Sequence, residues 1–162
     1  RWSAPRTRTC SCTTGSTTSI ATGGSTLELY KVANPSDLSS AVGSVIFAPD
    51  DMANLWSPEI HYLSAEDVGE QDAGWYLYLS AAQLGEGAAE GQRQYVLKAL
   101  DGDDLFGRWG DPVTGEVDVA RRITNVDHPD FNTSSFVAGI SIMRVADETF
   151  ITYVAEEGRG TA

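Results

Sequence analysis

Short hydrophobic segments separated by polar turns are the feature that most constrains the fold of this sequence. Seven segments alternate or are rich in β-branched and aromatic residues: 26–32, 42–47, 55–63, 74–81, 94–100, 140–145 and 149–154. Turn-forming residues such as Asn34 and Pro35 stand between them, and Asp37 and Leu38 begin one short helical turn. Long amphipathic helical patterns are absent from the sequence. It therefore predicts an all-β domain built as a sandwich, a barrel or a propeller.

Charge narrows the classes of ligand. The 162 residues include 11 Lys and Arg against 23 Asp and Glu, which gives a formal charge of −12. A phosphate backbone requires a basic face, so we expect neither nucleic acid nor an anionic membrane surface as a partner. No apolar run reaches the roughly 18 residues of a transmembrane helix. An acidic surface suits a neutral ligand such as a plant polysaccharide.

The first 19 residues differ in amino-acid composition from the rest of the chain. Residues 1–19 are rich in Arg, Ser and Thr and are interpreted as a poorly packed lead-in with one edge strand around residues 9–14, while residues 20–162 form the domain. The pair Cys10 and Cys12 is spaced too closely to favour a mutual disulfide, and no second pair of zinc ligands lies near it in the sequence. We interpret both as free or mispaired thiols, which leaves the redox compartment open.

Four segments occur in an informative order: NLWSPEIHYL (54–63), GWYLYLSAA (74–82), QYVLKA (94–99) and DLFGRW (104–109). In this order they resemble glycoside hydrolase family 43, the arabinofuranosidase and β-xylosidase type, with Ser57 where that family usually has Ala. The resemblance extends over residues 20–120 and weakens in residues 121–162. It implies part of a five-bladed β-propeller, about two to three blades, and inverting hydrolysis of arabinose- or xylose-containing plant polysaccharide.

The candidate substrate-binding residues are Trp56, Glu59 and His61. Aromatic rings stack against the C–H faces of sugars, and carboxylates and imidazoles bind hydroxyls. Glu59 and His61 share a face of their strand because the side-chain period is two, and Pro58 beside them predicts a strand start, an edge or a bulge. The alternative is that Trp56 belongs to the core and Glu59 satisfies buried backbone groups.

Other aromatic residues are expected to have structural roles. Trp75, Tyr76 and Tyr78 alternate between the two faces of one strand, and on a propeller strand such residues pack between blades. Trp109 is expected to cover a turn.

The resemblance also implies three catalytic carboxylates, and the sequence does not supply them in the expected places. The family's base belongs to the first blade, but the first aspartate here is Asp37, in a turn. Ala138 stands where the family has its second aspartate, with Asp127 and Asp130 as nearby candidates. The motif of the general acid belongs to a later blade and is not found by residue 162. Inversion requires two separated carboxyl groups, so this chain is expected to be inactive or incomplete as an enzyme.

Three functional hypotheses follow. The first is the glycosidase, the second a non-catalytic carbohydrate-binding propeller fragment, and the third an unrelated β domain with an accidental motif match. No cofactor and no metal site are expected; His128, between two aspartates, is either a metal contact or solvated surface. The expected partners are an oligosaccharide or polysaccharide and a second chain or copy that completes the propeller. The expected location is extracellular, although the numbered residues contain no secretory signal.

Overall fold

A computed structural model describes residues 9–13, 16–88, 91–123, 134–145 and 148–157. Their strands are β1 (Thr9–Thr13), β2 (Ser16–Thr22), β3 (Leu27–Val32), β4 (Ser44–Phe47), β5 (Met52–Leu63), β6 (Gly74–Gln83), β7 (Arg93–Ala99), β8 (Trp109–Gly110), β9 (Arg121–Arg122), β10 (Ser134–Val145) and β11 (Glu148–Glu157). Helical structure in these ranges is limited to a 3₁₀ helix, Pro35–Ser40, and the single-turn helix α1, Ala65–Val68. The prediction of an all-β chain is therefore confirmed.

The first sheet contains β1 to β4 in chain order, and every neighbouring pair is antiparallel. A tight turn joins β2 to β3, and Gly24 in this turn has φ 97°, a conformation that side chains disfavour. The backbone N–H of Leu55 donates to the Gly24 carbonyl at 2.9 Å, which ties β5 to this turn. The first sheet is thus fixed against the start of the second.

The second sheet is a five-stranded antiparallel blade, with β5-β6-β7-β8 in this order and β9 paired with β7. Strand β6 is buried along nearly its whole length, on both faces. This explains why its sequence is continuously apolar rather than alternating, because a strand covered on both sides has no solvent face. Burying each of its fully buried leucines stabilises the folded state by about 1.5–3 kcal/mol relative to leaving the side chain exposed.

Two hydrophobic cores flank the second sheet. Leu77, Leu79 and Ala81 of β6 point into the first core, which also receives Leu29 and Phe47 from the first sheet. The alternate residues Tyr76 and Tyr78 point into the second core, which also receives Ile140 and Ile142 of β10. The second sheet therefore lies between the other two, face to face, as neighbouring blades of a propeller do.

The third sheet pairs β10 with β11. Ile140 and Ile142 face the second sheet, whereas Met143, Val145 and Phe150 lie on the outward face and are exposed. The predicted hairpin of residues 140–154 is confirmed in this pairing. Its tip, Ala146 and Asp147, lies outside the described residues.

Most strand predictions are confirmed with small differences at the ends. The expected edge strand around residues 9–14 corresponds to β1, and the expected helical turn at Asp37 lies in the 3₁₀ helix. The acidic segment after β5, expected as a loop, contains α1, where Ser64 and Asp67 form a capping box. The division of the chain at residue 19 stays a prediction.

Trp109 has a larger role than the predicted cover of a turn. Its side chain is fully buried in the first core, and its indole N–H also donates to the Leu105 carbonyl of the turn at 3.0 Å. No helix in the described part of the chain is long and apolar enough to cross a membrane.

Candidate functional site

Two bulges in β5 bring the three candidate binding residues to one face. Trp56 pairs with Ser80, Glu59 with Tyr78 and His61 with Tyr76, and the register shifts once between Trp56 and Glu59. Ser80, Tyr78 and Tyr76 are two residues apart on β6, so they and their partners share a face. Without the extra residue, Trp56 and Glu59, three positions apart, would point to opposite faces.

The backbone of the bulges is built from unusual conformations. Ser57 has φ 48° and Asn54, in the preceding bulge, has φ 54°. Pro58 follows Ser57 and is fully buried; it has no N–H for the ladder, so it is compatible with an irregular position on the outer strand of a sheet. The buried side chain of Gln92, the residue before β7, donates to the Asn54 carbonyl at 2.9 Å and secures the first bulge. Of the positions predicted for Pro58, a strand start, an edge or a bulge, the structure shows a bulge in an edge strand.

Glu59 and His61 form a hydrogen-bonded pair, with 2.9 Å between Oε2 of Glu59 and Nε2 of His61. Their side chains retain 21% and 30% exposure, so solvent reaches both. The ring of His61 lies edge-on to Tyr78, with 6.0 Å between the centroids. The pair thus keeps a carboxylate and an imidazole partly exposed on a face whose aromatic residues, Tyr76 and Tyr78, are themselves buried.

The same face holds β10 in place. The backbone N–H of Ile142 donates to Oε2 of Glu59 at 3.4 Å, and the N–H of Gly139 donates to the hydroxyl of Ser80 at 3.0 Å. Ser80, fully buried, in turn donates to Oε1 of Gln94 at 3.1 Å. Side chains of the second sheet therefore satisfy backbone groups of the third, as the alternative interpretation of Glu59 proposed.

Two tyrosines form the floor of the site. Tyr76 and Tyr78 stack with their centroids 6.4 Å apart, and burial followed by the neighbouring Tyr76 raises the pKa of Tyr78 to about 12. Burial and the charge of Asp72 also raise the pKa of Tyr76, whose hydroxyl donates to the Asp72 carbonyl at 2.5 Å. Both phenols stay protonated at neutral pH, so they act as apolar surface and hydrogen-bond donors rather than as bases.

The described site holds a carboxylate, an imidazole and an indole on one face. Glu59 is the carboxylate of the shared face, and inverting hydrolysis requires a second carboxyl group about 6.5–9.5 Å away. Within the described ranges no three His, Cys, Asp or Glu side chains come close enough together to hold a metal ion. Glu59 and His61 are side chains able to form hydrogen bonds with hydroxyl groups.

Several predicted residues are not tested by the structure. Asp127, Asp130 and His128 lie outside the described residues, and Cys10 and Cys12 are described only as backbone in β1. The structure does bring Trp56, Glu59 and His61 to one face, but their role in binding sugar stays a prediction.

Sequence reasoning missed Ser80 as part of this face. The signal was its spacing of two from Tyr78, which places both on the same side of β6.

Comparison with known proteins supports the fold. The crystal structure of an α-L-arabinofuranosidase from Lactobacillus brevis matches 93% of this chain with a TM-score of 0.62 and 15% sequence identity. The match covers 44% of that chain, so this chain spans less than half the length of that protein. No protein-family model and no curated protein matches the sequence. The fold is therefore all-β and part of a β-propeller, as predicted.

Proposed function

We propose that this chain is the carbohydrate-binding part of a glycoside hydrolase-like β-propeller whose ligand is an arabinose- or xylose-containing polysaccharide. The observation that carries the proposal is the bulge at Ser57, which brings Trp56, Glu59 and His61 to one partly exposed face. A ring, a carboxylate and an imidazole on a rigid strand suit a neutral, hydroxyl-rich ligand. The structural likeness to an α-L-arabinofuranosidase supports the same class of ligand.

Binding rather than hydrolysis is the activity that we assign to the chain by itself. Oε2 of Glu59 is hydrogen-bonded to the His61 ring and to the backbone N–H of Ile142. Such bonds suit a carboxylate that is held in place as a hydrogen-bond acceptor rather than a general acid. The glycosidase activity belongs to the complete propeller, with Asp127 and Asp130 as the candidates of this chain. We place the protein outside the cell, where plant polysaccharide is found.

Titration calorimetry with an arabino-oligosaccharide and a xylo-oligosaccharide tests the binding. Trp56→Ala should weaken the affinity at least fivefold, while Trp56→Phe, which keeps a ring, should retain most of it. Phe106→Ala is the matched control, because it removes an exposed ring from a loop after β7. Unchanged affinity in Trp56→Ala would contradict the proposal.

Hydrolysis of a nitrophenyl arabinofuranoside is the companion assay. We expect no release of nitrophenol by this chain. Turnover that is lost in Asp127→Asn or Asp130→Asn would show instead that the chain is a glycosidase by itself.

Association with a second copy or a second chain is part of the proposal. The outward face of the third sheet carries Met143, Val145 and Phe150, all exposed, and exposed apolar sheet faces favour association. Sedimentation velocity should show a species larger than the monomer, and Phe150→Glu should reduce it. A compact, stable monomer at all concentrations would count against this part.

A further inference from the structure

A second aromatic surface lies at the far end of the same blade. Tyr62, near the end of β5, pairs across the sheet with Trp75, near the start of β6. The two rings meet edge to face, with 5.2 Å between centroids and 64° between planes. Tyr62 is 50% exposed, so much of its ring surface is available to a ligand.

The surface has a rigid support. Trp75 is half-buried and packs against the first core, in which Ala99 of β7 and Trp109 of β8 continue the same row of the sheet. The ring of Tyr62 therefore stands at the exposed end of a row whose other members are increasingly buried. A ring that packing holds in one orientation loses little conformational entropy when it binds a ligand.

This surface is separate from the candidate site. Tyr62 follows His61 directly and so points to the opposite face of β5. It also lies six residues beyond Trp56, which corresponds to at most about 20 Å along a strand. A single short oligosaccharide on the Trp56 face therefore does not contact Tyr62, whereas a long polysaccharide is able to reach both.

The surrounding charge selects the class of ligand. The segment that links β5 to β6 exposes Glu66 and Glu70, which lie between Tyr62 and Trp75 in the chain, and the whole chain carries a charge of −12. These carboxylates repel anionic ligands and accept hydrogen bonds from hydroxyl groups. An uncharged, hydroxylated ligand with a flat C–H face fits both the rings and the carboxylates.

We propose that Tyr62 and Trp75 form a second carbohydrate-binding surface, which takes a stretch of uncharged polysaccharide away from the Trp56 face. The class of ligand rests on the proposed function, but the surface itself rests on the ring geometry. Its consequence is that long polysaccharides bind this chain more tightly than short oligosaccharides do.

Affinity electrophoresis in native gels that contain soluble arabinoxylan tests the proposal on the full chain. Tyr62→Ala should reduce the retardation, and the dissociation constant obtained from it should rise roughly 2- to 10-fold. This is the range that the loss of one aromatic contact of about 0.5–1.5 kcal/mol gives. Tyr62→Phe should stay within twofold of the parent, and Phe106→Ala, which removes another exposed ring, should have no effect. Thermal melts establish that each variant is folded.

The outcomes separate the two sites. If Tyr62→Ala weakens arabinoxylan binding but leaves the affinity for a short arabino-oligosaccharide unchanged, the second surface is supported even where Trp56→Ala has no effect. If Trp56→Ala abolishes binding and Tyr62→Ala binds arabinoxylan like the parent, the second surface is refuted and the Trp56 site stands. Failure of the parent chain to bind arabinoxylan also refutes the second surface.

Discussion

Replacing Ser80 by alanine tests how the second and third sheets are held together. The Ser80 hydroxyl is fully buried, accepts the Gly139 N–H at 3.0 Å and donates to Gln94 at 3.1 Å. Each bond contributes about 1 kcal/mol net, and a buried N–H left without its acceptor costs about 1–3 kcal/mol. We therefore expect Ser80→Ala to lower the free energy of unfolding by about 2–3 kcal/mol.

Urea unfolding followed by circular dichroism and tryptophan fluorescence measures this change. The midpoint should fall while the slope with urea stays constant, because the surface exposed on unfolding is the same. Hydrogen exchange should accelerate more at the Gly139 amide than at other amides. A general loss of stability would instead accelerate exchange at many amides alike.

Ser40→Ala is the control for the Ser80 experiment. Its hydroxyl is exposed and donates to the Asp37 carbonyl, so we expect a loss below about 0.5 kcal/mol. If Ser80→Ala is as mild as Ser40→Ala and the Gly139 amide exchanges at the parent rate, the docking of β10 by Ser80 is refuted.

Three further predictions concern pH and the bulge. The pKa of Tyr78 is raised to about 12. The stability that the protonated phenol contributes should therefore be complete below about pH 10 and lost between about pH 10 and 12. Tyr78→Phe should make the free energy of unfolding less dependent on pH in this range. Hydrogen bonds from the side chain and backbone of Arg108 lower the pKa of Asp101 to about 2. The contribution of this carboxylate to stability is therefore present above about pH 4 and lost as the pH falls to 2. In Arg108→Ala, an NMR titration of the Asp101 carboxyl group should show a pKa closer to the ordinary value. Ser57 has φ 48°, so Ser57→Val should destabilise by about 1–3 kcal/mol in urea unfolding whereas Ser57→Gly should not; equal effects would argue against the bulge.

The second blade is the part of the fold that the sequence predicts best. Strand β6 is continuously apolar because both of its faces are covered, and its alternation correctly separates Tyr76 and Tyr78 from the residues of the first core. Glu59 and His61 share a face by simple period two, as predicted. These features depend on local pattern alone, which a sequence displays directly.

Other features depend on pairing between distant residues. The common face of Trp56 and Glu59 requires a bulge at Ser57; Pro58 left a bulge open as one of several alternatives, and serine carries no strong preference for positive φ that would decide among them. Strand β2 is rich in Ser and Thr, and four of its seven residues fall within the segment interpreted as a lead-in. Its antiparallel pairing with β3, which the local pattern does not reveal, makes it a strand. The bond between Ser80 and Gly139 joins residues 59 positions apart, which no local pattern encodes.

The shared face of Trp56, Glu59 and His61 is tested most directly by NMR titration of the parent chain with an arabino-oligosaccharide. We predict that the Trp56 indole, the His61 ring and the Ile142 amide, which is bonded to Glu59, shift together with one dissociation constant. Saturable shifts confined to other strands, or none at these three groups, would contradict the account.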